Sequence, residues 1–427
     1  MPQKQLTALP TATDAADDDL LIKRDTSSGT DEKLPVSVFR DPILDRANHT
    51  GTQTLSTISD AGTAAAKDVG EGQDDVPTND VVLRQVIARH YDAGGLHEAS
   101  GQTAIQTPEE VQLRIGPTAY VLPAPVTLDI NTAANWDDST YAMAANRAGK
   151  DFYLYYCQPS AGSEPDLILS ANSTIPNAMP SGATPTADNT RKISGFHCLC
   201  ADVGTISGHA LSGYGTGDAL PRSVWDQFHR PESEPEGMVY SDAGKWVDVY
   251  LASVSGGELV SVSGAAIADG ASAETFHWHK FDQWYRRIKK RLPFQGEFVD
   301  FSIGSNQGTN ISGSSDPGST GGHSDSAGRR MISNIGCEDC AGALWQWGID
   351  GGATNDVGSA YSNAFDANDA DVAGQHYEAP NRPIFGGSWG LGSICGSRSS
   401  AWSHSPLALD SYYSARGVAE PAKNRRN

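Results

Sequence analysis

Tryptophan is distributed very unevenly along this chain, and that distribution limits where a stable core can form. None occurs before Trp136, and the other eight all lie from Trp225 onward in Gly/Ser-rich surroundings. Residues 1–101 contain only Phe39 and Tyr91 as aromatics, among many Ala, Thr and Asp. Such a segment buries little apolar surface per residue and cannot by itself offset the entropy lost on ordering. It is expected to be extended and to fold against copies of itself. Short strands are expected at Leu20–Lys23 and Leu34–Phe39, and an amphipathic helix over Asn79–Arg89, where Val81, Val82, Leu83, Val86 and Ile87 are apolar. With 427 residues, the chain has room for two to four domains.

Glycine and proline, 45 and 23 residues, shift the remainder toward β-strands and turns rather than a helical bundle. Apolar runs of strand length occur at Tyr120–Leu122, Val126–Ile130, Asp151–Cys157 and Leu167–Leu169, separated by Pro, Asn, Gly and Ser. The aromatic strand Phe152–Tyr156 is read as core on one face and exposed on the other. One clear helix is expected over Ala273–Leu292, with a stripe of Phe276, Phe281, Trp284, Tyr285 and Ile288. Its basic end, Arg286–Arg291, suits a solvated helix C-terminus, and Pro293 stops it. Residues 304–327 read as a long polar loop. The expected fold class is mainly β with an α+β C-terminal domain: an extended N-terminal segment over 1–105, a β-rich domain over 106–218 and a third domain over 219–427.

The formal charge of -21 is the opposite of what a generic nucleic-acid or anionic-membrane binder carries. No apolar run approaches the roughly 20 residues needed to cross a bilayer, and Met1–Leu20 does not resemble a secretory signal. A soluble protein, not exported by the usual route, is expected. Six cysteines are too few for a disulfide scaffold. Cys337 and Cys340 have the spacing of half a zinc site, and Cys198 and Cys200 form a second pair, but buried free thiols are the simpler reading.

Several stretches carry a resemblance. Trp284-Tyr285-Arg286-Arg287 with Lys290–Pro293 and Glu297-Phe298, then Gly342–Trp347, then Phe385–Trp389 with Gly396–Arg398, Ser405-Pro406 and Ala415–Gly417, follow one order. They resemble the formylglycine-generating-enzyme branch of the C-type-lectin fold, in which Gly342–Trp347 is a turn; the last motif lacks its usual Phe. Upstream, Thr190–His197, Val224–Asp226, Phe228–Pro231, Gly237-Met238 and Trp246–Leu251 are similar to the tropism-determinant family of phage receptor-binding proteins, whose host range is varied by a diversity-generating retroelement. The resemblance spans roughly Gly116–Gly417. Before it, Asn48–Gln53, Leu55–Asp60 and Gly62–Ala65 resemble a tail-fibre spacer.

The resemblance implies a homotrimeric viral tail fibre protein of the virion, assembled in the host cytoplasm and acting outside the cell. Its N-terminal segment would join phage baseplate or tail proteins, and its C-type-lectin-like domain would bind a bacterial surface receptor. By the family pattern, the receptor-facing positions are Ser388, Gly390, Leu391, Gly392, Ile394, Ala401, Ser403, His404, Ala408, Asp410, Tyr412 and Tyr413. The scaffold positions are Trp345, Trp347, Gly386, Gly387, Trp389, Arg398, Trp402 and Arg416. Physical logic agrees: glycines allow close backbone approach, tryptophans anchor loops, and arginines tie loops through several hydrogen bonds.

Enzymes of the resembled branch bind copper through two cysteines. Here Leu391 stands at the first position and only Cys395 lies near the second, so no catalytic residues and no cofactor are expected. His277 and His279 bracket Trp278 but face apart on a helix. Calcium-lectin motifs are absent; Asp366, Asp369 and Asp371 are candidate ligands for a structural calcium, with a solvated acidic loop as the simpler reading. The alternative function is a tail-associated depolymerase. It needs two carboxylates roughly 5–10 Å apart, and no spacing marks a pair.

Overall fold

In the computed structural model, which describes residues 91–352 and 380–423 together with strands at 20–24, 31–35, 69–70 and 76–77, two compact units form, Met1–Arg84 and Gln85–Asn427. In the first unit, Leu20–Arg24 pairs antiparallel with Asp31–Pro35, and Leu21 stands opposite Leu34. The expected helix over Asn79–Arg89, the spacer motifs and Asp366, Asp369 and Asp371 lie outside the described residues.

The second unit opens with two small sheets. Strands β1 (Tyr91–Ala93), β4 (Val111–Ile115) and β5 (Thr118–Leu122) form one; β2 (Glu98–Ala99), β3 (Ala104–Gln106) and β6 (Thr127–Asp129) form the other. Along β4, Val111, Leu113 and Ile115 point inward while Gln112 and Arg114 point out, the two-residue period of a half-buried strand. Next comes a four-stranded antiparallel sheet of β7 (Asp151–Cys157), β8 (Asp166–Ser170), β9 (Thr190–His197) and β10 (Trp225–Asp226), in the order β8-β7-β9-β10. Both faces of β7 are buried, not one. Phe152, Leu154 and Tyr156 enter one core with Trp136 and Phe196, while Tyr153, Tyr155 and Cys157 enter another with Trp225 and Trp246. The uninterrupted apolar run is the sequence of a strand covered on both sides. Gly195 of β9 is required here, because a Cβ would stand 2.7 Å from the Trp225 ring.

Two buried relays tie this sheet to its neighbours. His97 lies 3.2 Å from Asp226 and 2.9 Å from the Tyr156 hydroxyl. His197 lies 2.9 Å from Asp151 and 2.9 Å from the Tyr250 hydroxyl. Each imidazole has a carboxylate at Nδ1 and a phenol at Nε2, which satisfies a buried polar ring on both sides.

The C-terminal part is built on short strands. Strands β11 (Met238–Tyr240), β12 (Trp246–Asp248) and β19 (Val418–Ala419) form one sheet, and Ser253–Ser255 with Glu258–Val260 (β13, β14) a hairpin. A four-stranded sheet has the order β17-β16-β15-β18, comprising Ser400–His404, Arg382–Phe385, Trp345–Trp347 and Tyr413–Ser414, with only β15 and β18 parallel. Trp345-Gln346-Trp347 is therefore a strand rather than the expected turn.

Helix α1 spans Trp278–Arg287, shorter at both ends than Ala273–Leu292. At its start, Thr275 has φ 44° and the His277 ring accepts from Lys280 N, so the chain enters through a cap. At its end, Lys289 takes φ 58°, its N–H bonds Arg286 O, and Lys290 N bonds Tyr285 O at 2.8 Å, a Schellman closure. The expected stripe is buried at Phe276, Phe281 and Tyr285. Helix α2 (Gln295–Phe301) follows. From Ser302 to Leu344 there is neither helix nor strand, in line with the expected polar loop. Isolated bridges such as Ile311 with Asp325 and Ile332 with Glu338 fix that segment.

Candidate functional site

Arg416 is fully buried and ties strands β12 and β15 to the segment at Glu338. Its Nε donates to Gln346 Oε1 at 3.0 Å, Nη1 to the carbonyls of Asp248 (2.7 Å) and Val249 (2.5 Å), and Nη2 to the Glu338 carbonyl. Gln346 in turn donates to the carbonyls of Asp339 and Cys340, both at 3.1 Å. Burial by itself favours the neutral form of Arg416, but its acidic neighbours, Cys340 and Cys337 first and then Asp339 and Asp248, outweigh it and hold the guanidinium charged. The planar fork is what lets one side chain hold strands β12 and β15 and the loop at Glu338. Asp248 also carries a buried ion pair with Lys290 at 2.6 Å and accepts from Gly417 N at 3.0 Å.

The glycine pair that follows β16 has no substitute. Gly386 (φ 92°) and Gly387 (φ 87°) are left-handed, and a Cβ would fall 2.3 Å from Cys340 O at the first and 2.6 Å from Cys395 Sγ at the second. Trp345 and Trp347 are buried in the core that holds Phe281 and Tyr285. Trp389 is half-buried; its backbone N–H donates to Ala343 O at 2.7 Å, and its ring stacks on Tyr412 with centroids 4.4 Å apart.

The expected scaffold set needs correction at two positions. Trp402 is 36% exposed on the outer part of β17, its indole N–H bonded only to Ser400 Oγ at 3.2 Å. Arg398 is exposed and ties no loops through hydrogen bonds among the described residues. The expected outward set also divides. Gly390, Leu391, Ile394, Ser403 and Asp410 are exposed, and Gly392, Ala401, His404 and Ala408 are half-buried. Ser388 is buried at 1% exposure, because its backbone lies against Ala343 and its carbonyl accepts from Cys395 Sγ. Tyr412 and Tyr413 are half-buried rather than free. Tyr413 packs 5.3 Å from Trp347 and 5.4 Å from His404, and its hydroxyl is pushed above the usual phenol range by that burial.

Across residues 388–413, Leu391 (37%), Ile394 (56%), Trp402 (36%) and Leu409 (50%) are exposed large apolar side chains. They lie on loops and on the outer strand β17 of the sheet.

The other constellations have structural occupations. All six cysteines are free thiols, and Cys395 is pushed up to about 11 by burial beneath Gly387 while Leu391 stands in solvent. Burial likewise holds Cys337 far above the usual thiol range. Among the described residues, no group of three or more His, Cys, Asp or Glu side chains is placed to hold a metal. The rings of His277 and His279 are 6.0 Å apart, and Nδ1 of His277 is used by its cap. A cavity of about 460 Å³ is lined by Asp151 and Glu236. Burial raises the Glu236 carboxyl above its ordinary range, and it accepts from Tyr153 at 2.8 Å; Asp151 accepts from His197 and from Gly237 N.

Sequence reasoning missed Asp248, Lys290 and Gln346. Lys290, expected within a solvated basic turn, is instead buried with Asp248. The sole signal was a lone Asp among the aromatics of Trp246–Tyr250 and a lone Gln between Trp345 and Trp347, polar residues in runs otherwise bound for the core.

Comparison with known proteins bears on this arrangement. The family model described as the Mtd second domain matches residues 96–226. The tail fiber receptor-binding protein of Bordetella phage BPP-1 is 28% identical over 302 residues, which cover 66% of this chain and 74% of the relative. Among solved structures, the Major Tropism Determinant M1 variant superposes with a TM-score of 0.63 at 22% identity, covering 79% of this chain and 87% of its own. The U1 variant gives 0.63 at 21% identity and covers 96% of both chains. Mainly β with few helices, the chain resembles the tropism-determinant tail-fibre proteins, sharing their second domain by sequence at residues 96–226 and their fold over most of its length.

Proposed function

We propose that this protein is the receptor-binding part of a phage tail fibre, carried on the virion tail, and that it attaches the particle to a host-surface receptor. The attaching surface is the loop face of residues 388–413 on a C-type-lectin-like C-terminal domain. The observation that carries this reading is the occurrence of four exposed large apolar side chains, Leu391, Ile394, Trp402 and Leu409, within the one short segment 388–413. Exposed apolar side chains grouped on one face are the usual mark of an interaction surface. The names of the relatives, a tail fiber receptor-binding protein and tropism determinants, support the same role. In this reading the chain is a homotrimer, residues 1–105 join the fibre to baseplate or tail proteins, 106–218 form the intermediate domain, and 219–427 recognise the host.

Adsorption blocking tests it. Purified protein mixed with host cells before phage is added should lower adsorption in a concentration-dependent way, and Leu391→Ala/Ile394→Ala protein should block far less. Wild-type protein that fails to block at saturating concentration refutes the reading. The competing reading, a polysaccharide hydrolase, has its one structural footing in the cavity of Asp151 and Glu236. Both carboxylates have bonding partners of their own there, and turnover of host capsule that Glu236→Gln abolishes would establish it instead.

A further inference from the structure

Cys337 and Cys340 take no part in receptor attachment, and they are more than two thiols that fill a core. Both are closed to solvent, in the cluster that holds Phe298 and Phe385. The backbone of their segment is pinned at every residue. Cys337 N donates to Ser333 Oγ at 3.0 Å, Glu338 N to the Val249 carbonyl at 2.7 Å and Asp339 N to the Met331 carbonyl at 2.7 Å. The Cys340 carbonyl accepts from Gln346 at 3.1 Å. Between the cysteines, Asp339 turns the chain at φ 55°, which brings Cys340 Sγ to 3.6 Å from the Cys337 carbonyl oxygen. The Cys337 thiol also donates a hydrogen bond to the Cys340 sulfur. Two sulfurs therefore face each other across a fixed turn, the arrangement that a disulfide needs.

Thiolate character, and not exposure alone, decides which cysteine an oxidant takes. Burial alone would raise the Cys340 thiol, but the hydrogen bond from Cys337 and the charge of Arg416 more than reverse that and hold it below its usual range. Arg416 bonds neutral acceptors, Gln346 and three carbonyls, and forms no ion pair with a carboxylate among the described residues. A thiolate at Cys340 supplies the charge partner that this buried guanidinium lacks. Cys200 is the opposite case: it is only half-buried, yet burial and the Glu338 charge push it up to about 12.

We propose that Cys337 and Cys340 are a redox couple, closed to a disulfide by a small oxidant of the peroxide class. The Cys340 thiolate attacks one oxygen of hydrogen peroxide and breaks the O–O bond, giving a sulfenic acid and a hydroxide. The Cys337 sulfur then attacks the sulfenic sulfur; the S–S bond forms and the second oxygen leaves as hydroxide. The protons of the two thiols turn both hydroxides into water, so two thiols are oxidised and one peroxide is reduced. Hydrogen peroxide is little larger than water, so a brief local opening of the core admits it, and the pinned turn already holds the second sulfur in place.

The test uses full-length protein purified under reductant, desalted, treated with hydrogen peroxide, then unfolded in iodoacetamide and mapped by peptide mass spectrometry. The expected product is a Cys337–Cys340 peptide lighter by two hydrogen atoms and carrying no alkyl group, with Cys157, Cys198, Cys200 and Cys395 still alkylated. Alkylation at Cys340 should be lost about tenfold or more faster than at Cys200, the more exposed thiol, and dithiothreitol should restore it. Two variants separate the roles. In Cys337→Ser, Cys340 lacks its resolving partner and should accumulate as sulfenic or sulfinic acid; in Cys340→Ser, Cys337 should remain alkylated. Mapping of the wild-type chain decides the matter even where a variant fails to fold. Cys337 and Cys340 both alkylated after peroxide, Cys200 oxidised before them, or a link to any other cysteine overturns the proposal.

Discussion

At the scale of single residues, exposure decides which side chains can be exchanged without cost to the fold. Leu391 and Ile394 stand in solvent, so Leu391→Ala/Ile394→Ala should change stability by no more than about 0.5 kcal/mol per site. At a binding hot spot the same truncations cost about 2 kcal/mol or more of affinity. Tyr413, packed between Trp347 and His404, belongs to the other class: Tyr413→Ala should cost about 2 kcal/mol of stability, below the range for a fully buried aromatic. Denaturant melts and host-cell binding on the same samples check both; a double variant that melts normally and binds as wild type does moves the face elsewhere. Arg416→Lys should be nearly as damaging as Arg416→Ala. An ammonium cannot serve Gln346, Asp248, Val249 and Glu338 together, and stranding buried partners of a charge costs about 3–5 kcal/mol. A Lys variant with wild-type stability would show that charge, not geometry, is what the site needs.

His323 gives a prediction in pH. Burial alone would lower its pKa, but the hydrogen bond and charge of Asp339, 2.9 Å away, more than reverse that and raise it. A group raised on folding contributes stability that is fully present below its unfolded pKa, about 6.5, and is lost as pH rises through the higher folded value. Stability of His323→Gln relative to wild type should therefore be lowest below pH ~6 and should recover toward alkaline pH. Urea midpoints of both proteins across that range provide the check; a difference that grows with pH contradicts the ion pair.

At the scale of elements, helix α1 shows how local chemistry and packing share control. Its apolar stripe is plain in the sequence, but both ends are set by backbone geometry that the stripe does not encode. The C-terminal end uses Lys289 at φ 58°, a conformation that costs a non-glycine residue roughly 1 kcal/mol. Lys289→Gly should thus stabilise the protein by about 0.5–1 kcal/mol in thermal melts. A loss of stability would mean that the lysine side chain contributes more than its backbone costs. Strand β7 makes a related point. Its boundaries follow from an unbroken apolar run, whereas the burial of both faces depends on partners from Trp136 to Trp246 that lie far off in sequence.

At the scale of the whole molecule, the aromatic-poor first hundred residues are the part that needs company. In the proposed trimer, such a thin, polar segment would gain its missing burial at an interface with copies of itself. Light scattering should find a species near three times 45.1 kDa. A stable species at the single-chain mass would remove the trimer from the proposed function. Trimeric display would also multiply a weak tip contact by avidity, so loss at Leu391 and Ile394 should appear larger on virions than on the isolated protein.

What the sequence determined by itself was local or ordered along the chain: strands β5, β7 and β8, the glycine pair Gly386-Gly387, and the succession of motifs that resembles the tropism determinants. Each depends on neighbouring residues or on order, which a sequence states directly. Only the tertiary structure decided which side chains face outward. Ser388, Tyr412 and Tyr413 are drawn inward by Ala343, Trp389 and Trp347, while Trp402 is left outside, because exposure at each position is set by what crosses over it. The same holds for the pairing of Lys290 with Asp248 and for the reach of Arg416 to Glu338. Their partners are separated by tens of residues or more, and only the closed fold brings the charges and carbonyls within hydrogen-bond distance.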